Sequence, residues 1–449
     1  MKNTQLRRPY RALDVNKVSA RCVLDRTESV RLVVAIDVAK EKMVSAVMDE
    51  AQDVLVTVKW CHPVQSESFY EFVAELGRER RVEVVMEPTG TYGDALRFHL
   101  VERGFAVYHV KPNLVHDARE LYDGVPSSHD AKACGIIGML HLSGRSVMFA
   151  KVSESRRRMK AATATLFRYE KQFTRERAQL DAVLVRFWPG ITDLLSLSTK
   201  SLLTLLSEMG SSAAVTAAPS RAREILVKTS KHKLSTNKID RVLENAAARY
   251  GEMPLPEEVE ALKLLAADAL RTRANVSNAR KQLETLAVKN EATHALIPVL
   301  GKASSGAFVA ELGSLRDFAS PASLVRCLGL NLREVSSGQF KGRLRITKRG
   351  SPRARHYLFY AALRCIYRDP IVRAWYAKKR GRSAGAGLIG VVAVMRKLAR
   401  ALWHVARGAK FDAAKLYDTS RLELTATSRK ISPPAFGMEL EVPLGATVV

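Results

Sequence analysis

The segment Arg31–Asp37 has the sequence RLVVAID, in which five apolar residues stand between one basic and one acidic residue. A short apolar run rich in β-branched residues predicts a buried strand. Residues 42–48 and 53–59 also contain several valines and predict two more strands close behind the first. The chain therefore opens with hairpins, and a β-sheet is the expected core of this part.

Helical and strand patterns alternate after these strands. The expected elements are a helix at 66–80, a strand at 82–86, a helix ending near 103, a strand at 106–110 and a helix at 129–142. Such alternation is typical of an α/β domain with a mostly parallel sheet. We place this domain at residues 31–152, after a basic and irregular extension formed by residues 1–30.

The central part of the chain is dominated by Ala, Leu, Arg, Lys and Glu at helical spacing. We predict a helical connector or coiled coil over residues 153–292, with a basic, polar break at 221–238. The basic stretch 156–177 contains interleaved aromatic residues. It is either a solvated helical face or a surface that contacts nucleic acid.

The last part of the chain is punctuated by glycines. Gly301, Gly313 and Gly329 bound two predicted helices in a pattern similar to a helix-hairpin-helix. Backbone amides at such a hairpin suit contact with phosphate. We place a mainly α-helical C-terminal domain at residues 293–418 and a tail at 419–449.

Charge gives the first indication of a partner. The 449 residues include 72 Lys and Arg against 45 Asp and Glu, for a net charge of +27, and 47% are hydrophobic. This hydrophobic content excludes a disordered basic tail, because such chains lack the apolar residues that build a core. A folded protein this basic is expected to bind a polyanion, of which nucleic acid is the commonest. Residues 341–410 contain 19 Lys and Arg but one acid, Asp369, so +18 of the total lies there.

Other classes of protein are disfavoured. No apolar run approaches the roughly 20 residues that a membrane-spanning helix needs, and the basic N-terminus lacks the apolar core of a secretory signal. The five cysteines are scattered without a C-x-x-C pair. That argues against a zinc ribbon or a disulfide framework and suits a reducing cytoplasm. We therefore expect a cytoplasmic protein without membrane partners.

Three acidic residues follow or begin predicted elements of the α/β domain. Asp37 ends the first strand, Glu87 follows the strand VEVVM, and Asp130 begins a helix. Each alone has an ordinary explanation, since Asp37 and Glu87 suit turns and Asp130 suits a helix start. Acids at the carboxyl ends of neighbouring strands, however, converge on one crevice. Together they suit the Mg²⁺ ions of a nuclease, with His129 as a further candidate ligand.

A series of motifs runs along both ends of the chain: AIDVAK, MEPTG and HDAKAC, then IPVLG, AELG, LVRCLGLNLREVSSG and ITKRGSPRARHYL. Their combination and order resemble the insertion-sequence 110 family of transposases, over about residues 31–145 and 295–410. The resemblance implies an α/β RuvC-like (ribonuclease H-like) domain with a DEDD set of metal ligands. It also implies a coiled-coil connector and a C-terminal transposase domain.

One position departs from that pattern. With Asp130 as the third acid, the resemblance calls for a fourth Asp three residues later, where this chain has Ala133. That spacing would place both carboxylates on one helix face, so the alanine removes a ligand and keeps the helix. A substitution made to trap an inactive complex, natural decay and a misaligned motif are the alternatives. The first two are favoured because the surrounding residues match, and binding of Mg²⁺ by Asp37, Glu87 and Asp130 would then be weakened.

The motif SSG contains the candidate nucleophile. A Ser-Gly turn is ordinarily only a turn, but cations that can hold a scissile phosphate follow this one. They are Lys341, Arg343, Arg345, Lys348, Arg349, Arg353 and Arg355. The resemblance implies that a serine of this turn attacks DNA and forms a covalent 5′-phosphoserine intermediate. Ser337, next to Gly338, is the first choice and Ser336 the reserve.

The acids and the serine lie about 200 residues apart in the chain. Serine needs activation by a base or a metal, so we expect a composite active site within a homodimer or tetramer. The resemblance further implies that a noncoding bridge RNA selects donor and target DNA. It places the protein in the bacterial cytoplasm, at the nucleoid when it acts.

Two alternatives to a recombinase stay open. A metal-only RuvC-like nuclease selective for DNA structure would use the acids alone, and the serine would be a turn residue. A catalytically inactive nucleic-acid-binding protein would account for Ala133. A protein–DNA adduct that resists denaturation distinguishes the recombinase from both.

Overall fold

The structure, a computed structural model, describes residues 11–88, 90–125, 127, 129–334, 336–337, 340–341, 344–380 and 386–422. The chain divides into two compact units, Met1–Lys151 and Val152–Val449. The first contains a mixed β-sheet covered by helices, and the second is mainly α-helical. The expectation of an α/β part followed by a helical part is thereby confirmed. The expectation of a mostly parallel sheet is wrong, because three of the six strand pairings in the described part of the sheet are antiparallel.

Within the described residues of the first unit, seven strands form one sheet in the spatial order β1-β4-β3-β2-β5-β6-β7. They are β1 (Leu13–Asp14), β2 (Arg31–Asp37), β3 (Lys42–Met48), β4 (Val54–Cys61), β5 (Arg81–Met86), β6 (Ala106–Val110) and β7 (Ser146–Met148). β2, β3 and β4 form an antiparallel meander, whereas β5 pairs parallel with β2 and β6. β2 is therefore the central strand, where the meander meets the parallel strands.

Six helices in the described part of this unit cover the two faces of the sheet. They are α1 (Ala20–Leu24), α2 (Ser66–Glu79), α3 (Asp94–Glu102), α4 (Pro112–Asp117), α5 (Arg119–Asp123) and α6 (Asp130–Leu142). Side chains alternate along a strand, so Leu32, Val34 and Ile36 pack with α1, α2 and α3, while Val33 and Ala35 pack with α4 and α6. The unit is a three-layer α/β/α structure whose central strand is buried on both faces.

Residues 11–30 differ from the expectation of an irregular extension. They contain β1, which pairs with β4, and α1, which packs against α2. Val15, Ala20 and Val23 are buried in the core of the unit. That expectation is wrong because such short elements contain too few residues to show a periodic pattern. The three-residue strand β7 escapes prediction for the same reason.

The second unit contains fifteen helices and four short strands in its described residues. The helices are α7 (Glu154–Phe187), α8 (Ile191–Leu194), α9 (Lys200–Met209), α10 (Ser212–Ala217), α11 (Pro219–Ser230), α12 (Thr236–Ala247), α13 (Pro256–Val288), α14 (Glu291–His294), α15 (Ile297–Leu300), α16 (Lys302–Leu312), α17 (Pro321–Cys327), α18 (Pro352–Arg368), α19 (Pro370–Arg380), α20 (Ala386–Val405) and α21 (Ala413–Leu416). The strands are β8 (Leu332–Arg333), β9 (Ser336–Ser337), β10 (Phe340–Lys341) and β11 (Arg345–Ile346).

Throughout the described chain, no helix combines the length and the apolar character that crossing a membrane requires.

Two long antiparallel helices, α7 and α13, run through this unit. Contacts between Glu170 and Arg280, and between Arg186 and Glu258, show that the two helices run in opposite directions. One apolar core forms where they meet α16, α17, α18 and α20. A second core forms further along, where they meet α8, α9, α11 and α12. The prediction that the central part of the chain is helical is confirmed.

The predicted polar break at residues 221–238 is wrong over most of its length. α11 continues to Ser230, and α12 begins at Thr236. Ala222, Ile225 and Leu226 are buried against α9. Charged residues at the other positions of α11 mask this apolar spacing in the sequence.

The glycine-punctuated region contains α16 and α17 where two helices were expected. Gly301, Gly313 and Gly329 adopt φ values of +76°, +82° and +63°, in the left-handed region that favours glycine. Most of α16 is buried, from Ala303 to Ala310. This helix therefore packs as part of the core, and its glycines allow the chain to turn sharply at each end.

Candidate active site

Asp37 and Glu87 lie at the carboxyl ends of two adjacent parallel strands. β2 and β5 pair in register up to Ile36 and Met86, and the next residue of each segment is one of the two acids. Strand alternation directs Asp37 to the face that α6 covers, as it does Ala35. Both acidic residues are half-buried. The structure thus brings the first two predicted site residues together at one edge of the sheet.

Asp130 is the first residue of α6, which packs across β2 and β3. Two glycines allow this helix to approach its neighbours closely. A Cβ atom at Gly138 would clash with Met48 Sδ, and one at Gly135 would clash with the hydroxyl of Tyr122. The close packing of α6 on the sheet sets the position of its first turn, and with it that of the third acid.

Burial and mutual repulsion raise the pKa of Asp37. Burial is the largest cause, followed by the negative charges of Asp130 and Glu87, and the pKa reaches about 6. Burial also raises the pKa of Glu87. Since the charges of Asp130 and Glu87 both act on Asp37, these two carboxyls lie within electrostatic range of it. We call Asp37, Glu87 and Asp130 the acidic cluster.

Arg119, in the first turn of α5, is the cation that faces this cluster. Its charge lowers the pKa of both Asp37 and Glu87, against the effect of burial. Arg119 is not recognisable from the sequence, because α4 and α5 are too short to give a helical period. The one available signal is its place between the second and third acids in the chain.

His129 caps α6. Its Nδ1 accepts a hydrogen bond from the backbone N–H of Lys132 at 3.2 Å. The Lys132 side chain is buried, and its Nζ donates to Asp123 Oδ1 and to the carbonyl oxygen of Val125, both at 2.5 Å. These contacts fasten the start of α6 to the preceding loop, and they give His129 a structural role at the site.

The chemistry of the acidic cluster suits a hard divalent cation. Its donors are carboxylate oxygens that repel one another in a partly buried setting, and a cation relieves that repulsion. Ala133, one turn after Asp130, supplies no oxygen ligand. Among the described residues, no three His, Cys, Asp or Glu side chains already form a metal-binding group. The residues fit Mg²⁺ by type, and binding an ion requires their side chains to close around it.

Ser336 and Ser337 belong to the second unit, on an arm formed by residues 329–350. β9 and β10 pair antiparallel, with Ser337 opposite Phe340 and Ser336 opposite Lys341. β8 and β11 pair antiparallel nearer the helices. We call residues 329–350 the serine arm, which leaves the core after α17 and returns to it at α18.

Close backbone contacts hold the base of the serine arm. The Thr347 backbone N–H donates to the carbonyl oxygen of Asn331 at 2.9 Å, and Thr347 Oγ1 donates to Asn331 Oδ1 at 2.7 Å. A Cβ atom at Gly350 would clash with the carbonyl oxygen of Cys327. The two ends of the arm therefore cross at a point where only glycine fits, and the serines lie beyond that crossing.

Several of the predicted phosphate-binding cations lie on this arm. Three exposed ones stand on its returning half: Arg345, Lys348 and Arg349. The remaining predicted residues of the arm lie outside the described residues, wholly or in their side chains: Arg343, and the side chains of Lys341, Ser336 and Ser337. The exposed cations follow β10 closely in the chain.

Family comparisons match these two regions. Residues 34–189 match a model described as a transposase, of the DEDD type of IS110, and residues 295–377 match the Transposase IS116/IS110/IS902 family. The matches contain the acidic cluster and all of α7 in one case and the serine arm in the other, and together they span just over half of the chain. The protein belongs to the IS110 family of transposases. No curated protein matches its sequence significantly.

The transposase is thus an enzyme that acts on DNA, the product of an insertion sequence. Two of its predicted phosphate-binding residues, Arg353 and Arg355, also make internal contacts. Arg355 donates to the carbonyl oxygens of Leu328 at 3.0 Å and Gly350 at 2.9 Å. Arg353 pairs with Glu311 at 3.3 Å. Both arginines therefore stabilise the helices that carry the serine arm.

Other cations of the basic segment 341–410 likewise satisfy backbone carbonyls of the transposase. Arg364 donates to Leu300, Lys397 to Leu416, and Arg407 to Leu315, Arg316 and Phe318. Arginine in particular can donate several hydrogen bonds from one planar group. Part of the charge that is concentrated in this segment of sequence therefore serves the fold.

Proposed function

We propose that this transposase cuts and rejoins DNA strands through a covalent 5′-phosphoserine link, with Ser337 as the nucleophile and Ser336 as the reserve. One observation carries the proposal: a single chain contains both an acidic cluster and a serine arm with exposed cations. Either feature alone has a structural explanation. Their coexistence in an IS110-family chain is what the proposed reaction needs.

The proposed chemistry exchanges one phosphate ester for another. Ser337 Oγ attacks the scissile phosphorus, the Oγ–P bond forms, the P–O3′ bond breaks, and the serine proton ends on the departing 3′ oxygen. Rejoining is the reverse step, with the 3′-hydroxyl of another strand as nucleophile. Arg345, Lys348 and Arg349 stabilise negative charge on the non-bridging oxygens during both steps.

In this proposal Asp37, Glu87 and Asp130 hold Mg²⁺. When bound, the ion supplies Lewis-acid stabilisation of the phosphate oxygens. The pKa of Asp37 is raised by burial first and by the charges of Asp130 and Glu87 second, and this supports the assignment because a bound cation offsets both effects. Ala133 leaves the set one carboxylate short, so we expect weaker ion binding than a four-acid site provides.

The first unit is proposed to be RuvC-like. Its central strand β2 joins an antiparallel meander to parallel strands, and two acids follow the ends of β2 and β5. These features agree with the type that the first family comparison indicates. In the proposed recombinase, the first unit would therefore have the fold of a nuclease that selects DNA by its structure.

The acids and the serine come from different units of the chain. We extend the proposal to a composite active site, in which the acids of one protomer act with the serine of another in a dimer or tetramer. A noncoding bridge RNA is proposed to select donor and target DNA, on the basis of the resemblance to the family. The high net charge of +27 supports binding of two kinds of nucleic acid. In a bacterial cell this assembly would act at the nucleoid.

A denaturing gel tests the nucleophile. The protein is incubated with Mg²⁺, RNA transcribed from the noncoding flank of the element, and labelled duplexes that contain the element ends. We expect an adduct that resists denaturation, lost in Ser337→Ala and kept in Ser336→Ala. Loss in Ser336→Ala alone would move the role to the reserve serine. Adducts that persist in both variants would rule out the phosphoserine mechanism.

Two further variants address the missing carboxylate. Ala133→Asp places an acid three residues after Asp130, and Ser127→Asp places one three residues before it, as a displaced motif requires. We expect one of the two to increase adduct formation and to bind Mg²⁺ more tightly in calorimetry. If the parent chain and both variants form no adduct and cut no DNA with any divalent ion, the protein is an inactive nucleic-acid-binding member of its family.

A metal-only nuclease is the competing function. It is favoured by one observation, that all three acids lie in the first unit and need no residue of the second. Such an enzyme releases cut DNA without a protein adduct and is unaffected by Ser337→Ala. The same gel therefore separates the two functions.

A further inference from the structure

Five exposed cations lie along one face of the long helix α7. They are Arg157, Lys160, Arg168, Lys171 and Arg175. With about 3.6 residues per helical turn, the five residues fall within an arc of roughly 80° around the helix axis. The first and the last lie about 27 Å apart along that axis. We call these five residues the α7 stripe.

The face of α7 that carries the stripe contains no acidic residue between Arg157 and Arg175. Between Arg157 and Arg175 the sequence contains one acid, Glu170, which is buried and bonded to Arg280 and Tyr357. The gap between Lys160 and Arg168 is filled on this face by Ala164, which is small and uncharged. The positive charge of this face is therefore not offset along its length.

The stripe cations also lack ion pairs within the described part of the chain. Their neighbour Arg158 differs, because it pairs with Glu154 at 2.5 Å. Two members instead contact aromatic rings: Lys171 Nζ lies 4.8 Å from the centre of Phe167, and Arg168 lies 5.1 Å from that of Tyr169. A cation–π contact positions a charge without neutralising it.

Phe167 also connects the stripe with the helix that follows the serine arm. The guanidinium of Arg353, on α18, lies 5.7 Å from the centre of the same ring that Lys171 contacts. α18 begins at Pro352, directly after the arm ends at Gly350. The basic face of α7 therefore continues towards the base of the serine arm within the second unit.

We propose that the α7 stripe binds the sugar–phosphate backbone of a nucleic acid and leads it towards the serine arm. A straight row of unpaired cations matches the regular negative charge of a phosphodiester chain, and binding releases its counterions. The row has no apolar flank that could enter a bilayer, because Met159 and Leu166 of α7 are buried in the core. This surface does not depend on which residue is the nucleophile.

The test compares two triple variants of the full chain. Arg168→Ala with Lys171→Ala and Arg175→Ala removes three stripe cations. Arg158→Ala with Arg223→Ala and Arg271→Ala removes three arginines that pair with Glu154, Asp240 and Asp268. Both variants lower the net charge equally, so a general charge effect moves them together.

The measurement is binding of labelled 30-nucleotide probes at several salt concentrations. The probes are duplex DNA, single-stranded DNA and RNA of one sequence. We expect the stripe variant to bind at least tenfold more weakly at low salt. Its salt slope should fall by about 3 on a duplex or about 2 on a single strand, if each cation contacts one phosphate. The control variant should change affinity less than threefold, and the probe with the larger loss identifies the strand that the stripe holds.

Several outcomes would overturn the inference. An unchanged salt slope on all three probes, or equal losses in both triple variants, would show that the stripe is an ordinary solvated face. Weaker binding to phosphatidylserine vesicles with unchanged binding to nucleic acid would assign it to a membrane. If the triple variant melts at a lower temperature than the parent, Arg157→Gln with Lys160→Gln repeats the test, with an expected fall in slope of about 1 to 2.

Discussion

Glu83 and Glu87 stand four residues apart along β5 and its end, yet their surroundings are opposite. Glu83 is buried and contacts Arg31 at 2.6 Å, Arg81 at 2.9 Å and His141 at 2.8 Å. Burial alone would raise its pKa, but the hydrogen bonds from Arg31 and His141 hold the pKa below its usual value. Burial raises the pKa of Glu87, which has no comparable set of partners among the described residues.

The difference separates an acid that stabilises the fold from acids that are available for chemistry. A compensated carboxylate such as Glu83 is a structural ion pair, whereas uncompensated, partly buried carboxyls mark a functional site. Both kinds of acid involve α6, since His141 of this helix contacts Glu83 and Asp130 of the same helix belongs to the acidic cluster. Four substitutions test this division, beginning with the one of largest expected effect.

Replacing Glu83 should cost the most. In Glu83→Ala the buried His141 and the half-buried Arg31 lose their shared acceptor, so we expect the free energy of unfolding of the first unit to fall by about 3 kcal/mol. Urea denaturation followed by circular dichroism measures it. The matched control is Glu87→Ala, for which we expect no loss. Equal losses for the two variants would contradict the division between the two ends of the strand.

Enlarging Gly138 should disturb the packing of α6, the helix that contacts Glu83 through His141 and carries Asp130 of the acidic cluster. A valine there overlaps with Met48 Sδ and crowds Ala35 Cβ, so either the buried Met48 side chain or α6 must shift, at an expected cost of about 2 kcal/mol. Ala131→Val adds a branched side chain to a less buried position of the same helix and should cost less than about 1 kcal/mol. Unfolding in urea compares the two. A tolerated Gly138→Val would mean that close packing does not position the start of α6.

The acidic edge of the sheet is the part of the site that the sequence predicts best. Asp37 and Glu87 each follow an apolar run, and strands of this kind in an α/β unit end at a common edge. The same pattern does not distinguish Glu83 from Glu87. Glu83 stands between two valines, and Glu87 follows the end of the same apolar run. The partners that distinguish them come from β2 and from α6, 58 residues away in the case of His141.

The serine arm and the charged surfaces show where sequence reasoning fails. The four strands of the second unit have two residues each, too few for an alternation to be visible. Charge density along the chain also misleads, since Arg355 and Arg407 of the basic segment donate to backbone carbonyls. Unpaired charge is found on the serine arm and also on α7, where helical spacing aligns Arg168 and Lys171. The spacing of cations is more informative here than their number.

Neutralising Asp37 should stabilise the protein in a pH-dependent way. Its pKa rises from 3.8 to about 6 on folding, so the folded chain binds the proton more tightly than the unfolded chain. The carboxyl therefore costs almost nothing below about pH 4, its cost grows between about pH 4 and pH 6, and it stays constant at higher pH. We expect Asp37→Asn to gain about 1 to 2 kcal/mol at pH 7.5, after allowance for partial solvent exposure, and nothing at pH 3.5.

Thermal unfolding in EDTA at several pH values measures this gain. Asp53→Asn is the control, because Asp53 is exposed beside the same sheet. A gain of equal size at pH 3.5 and pH 7.5 would mean that the carboxyl is not destabilised by ionisation in the folded protein. In buffer with Mg²⁺ the advantage of Asp37→Asn over the parent should shrink, since the ion stabilises only a chain that binds it.

Neutralising Glu87 should have the smallest effect, with the same sign. Burial raises its pKa, so Glu87→Gln should also gain stability at neutral pH, by less than about 1 kcal/mol. The charge of Glu87 is one cause of the raised pKa of Asp37. Each single variant therefore removes the same repulsion, and the double variant should gain less than the sum of the two. Additive gains in this cycle would mean that the two carboxyls do not interact, and Asp37 and Glu87 would then be separate acids rather than parts of one site.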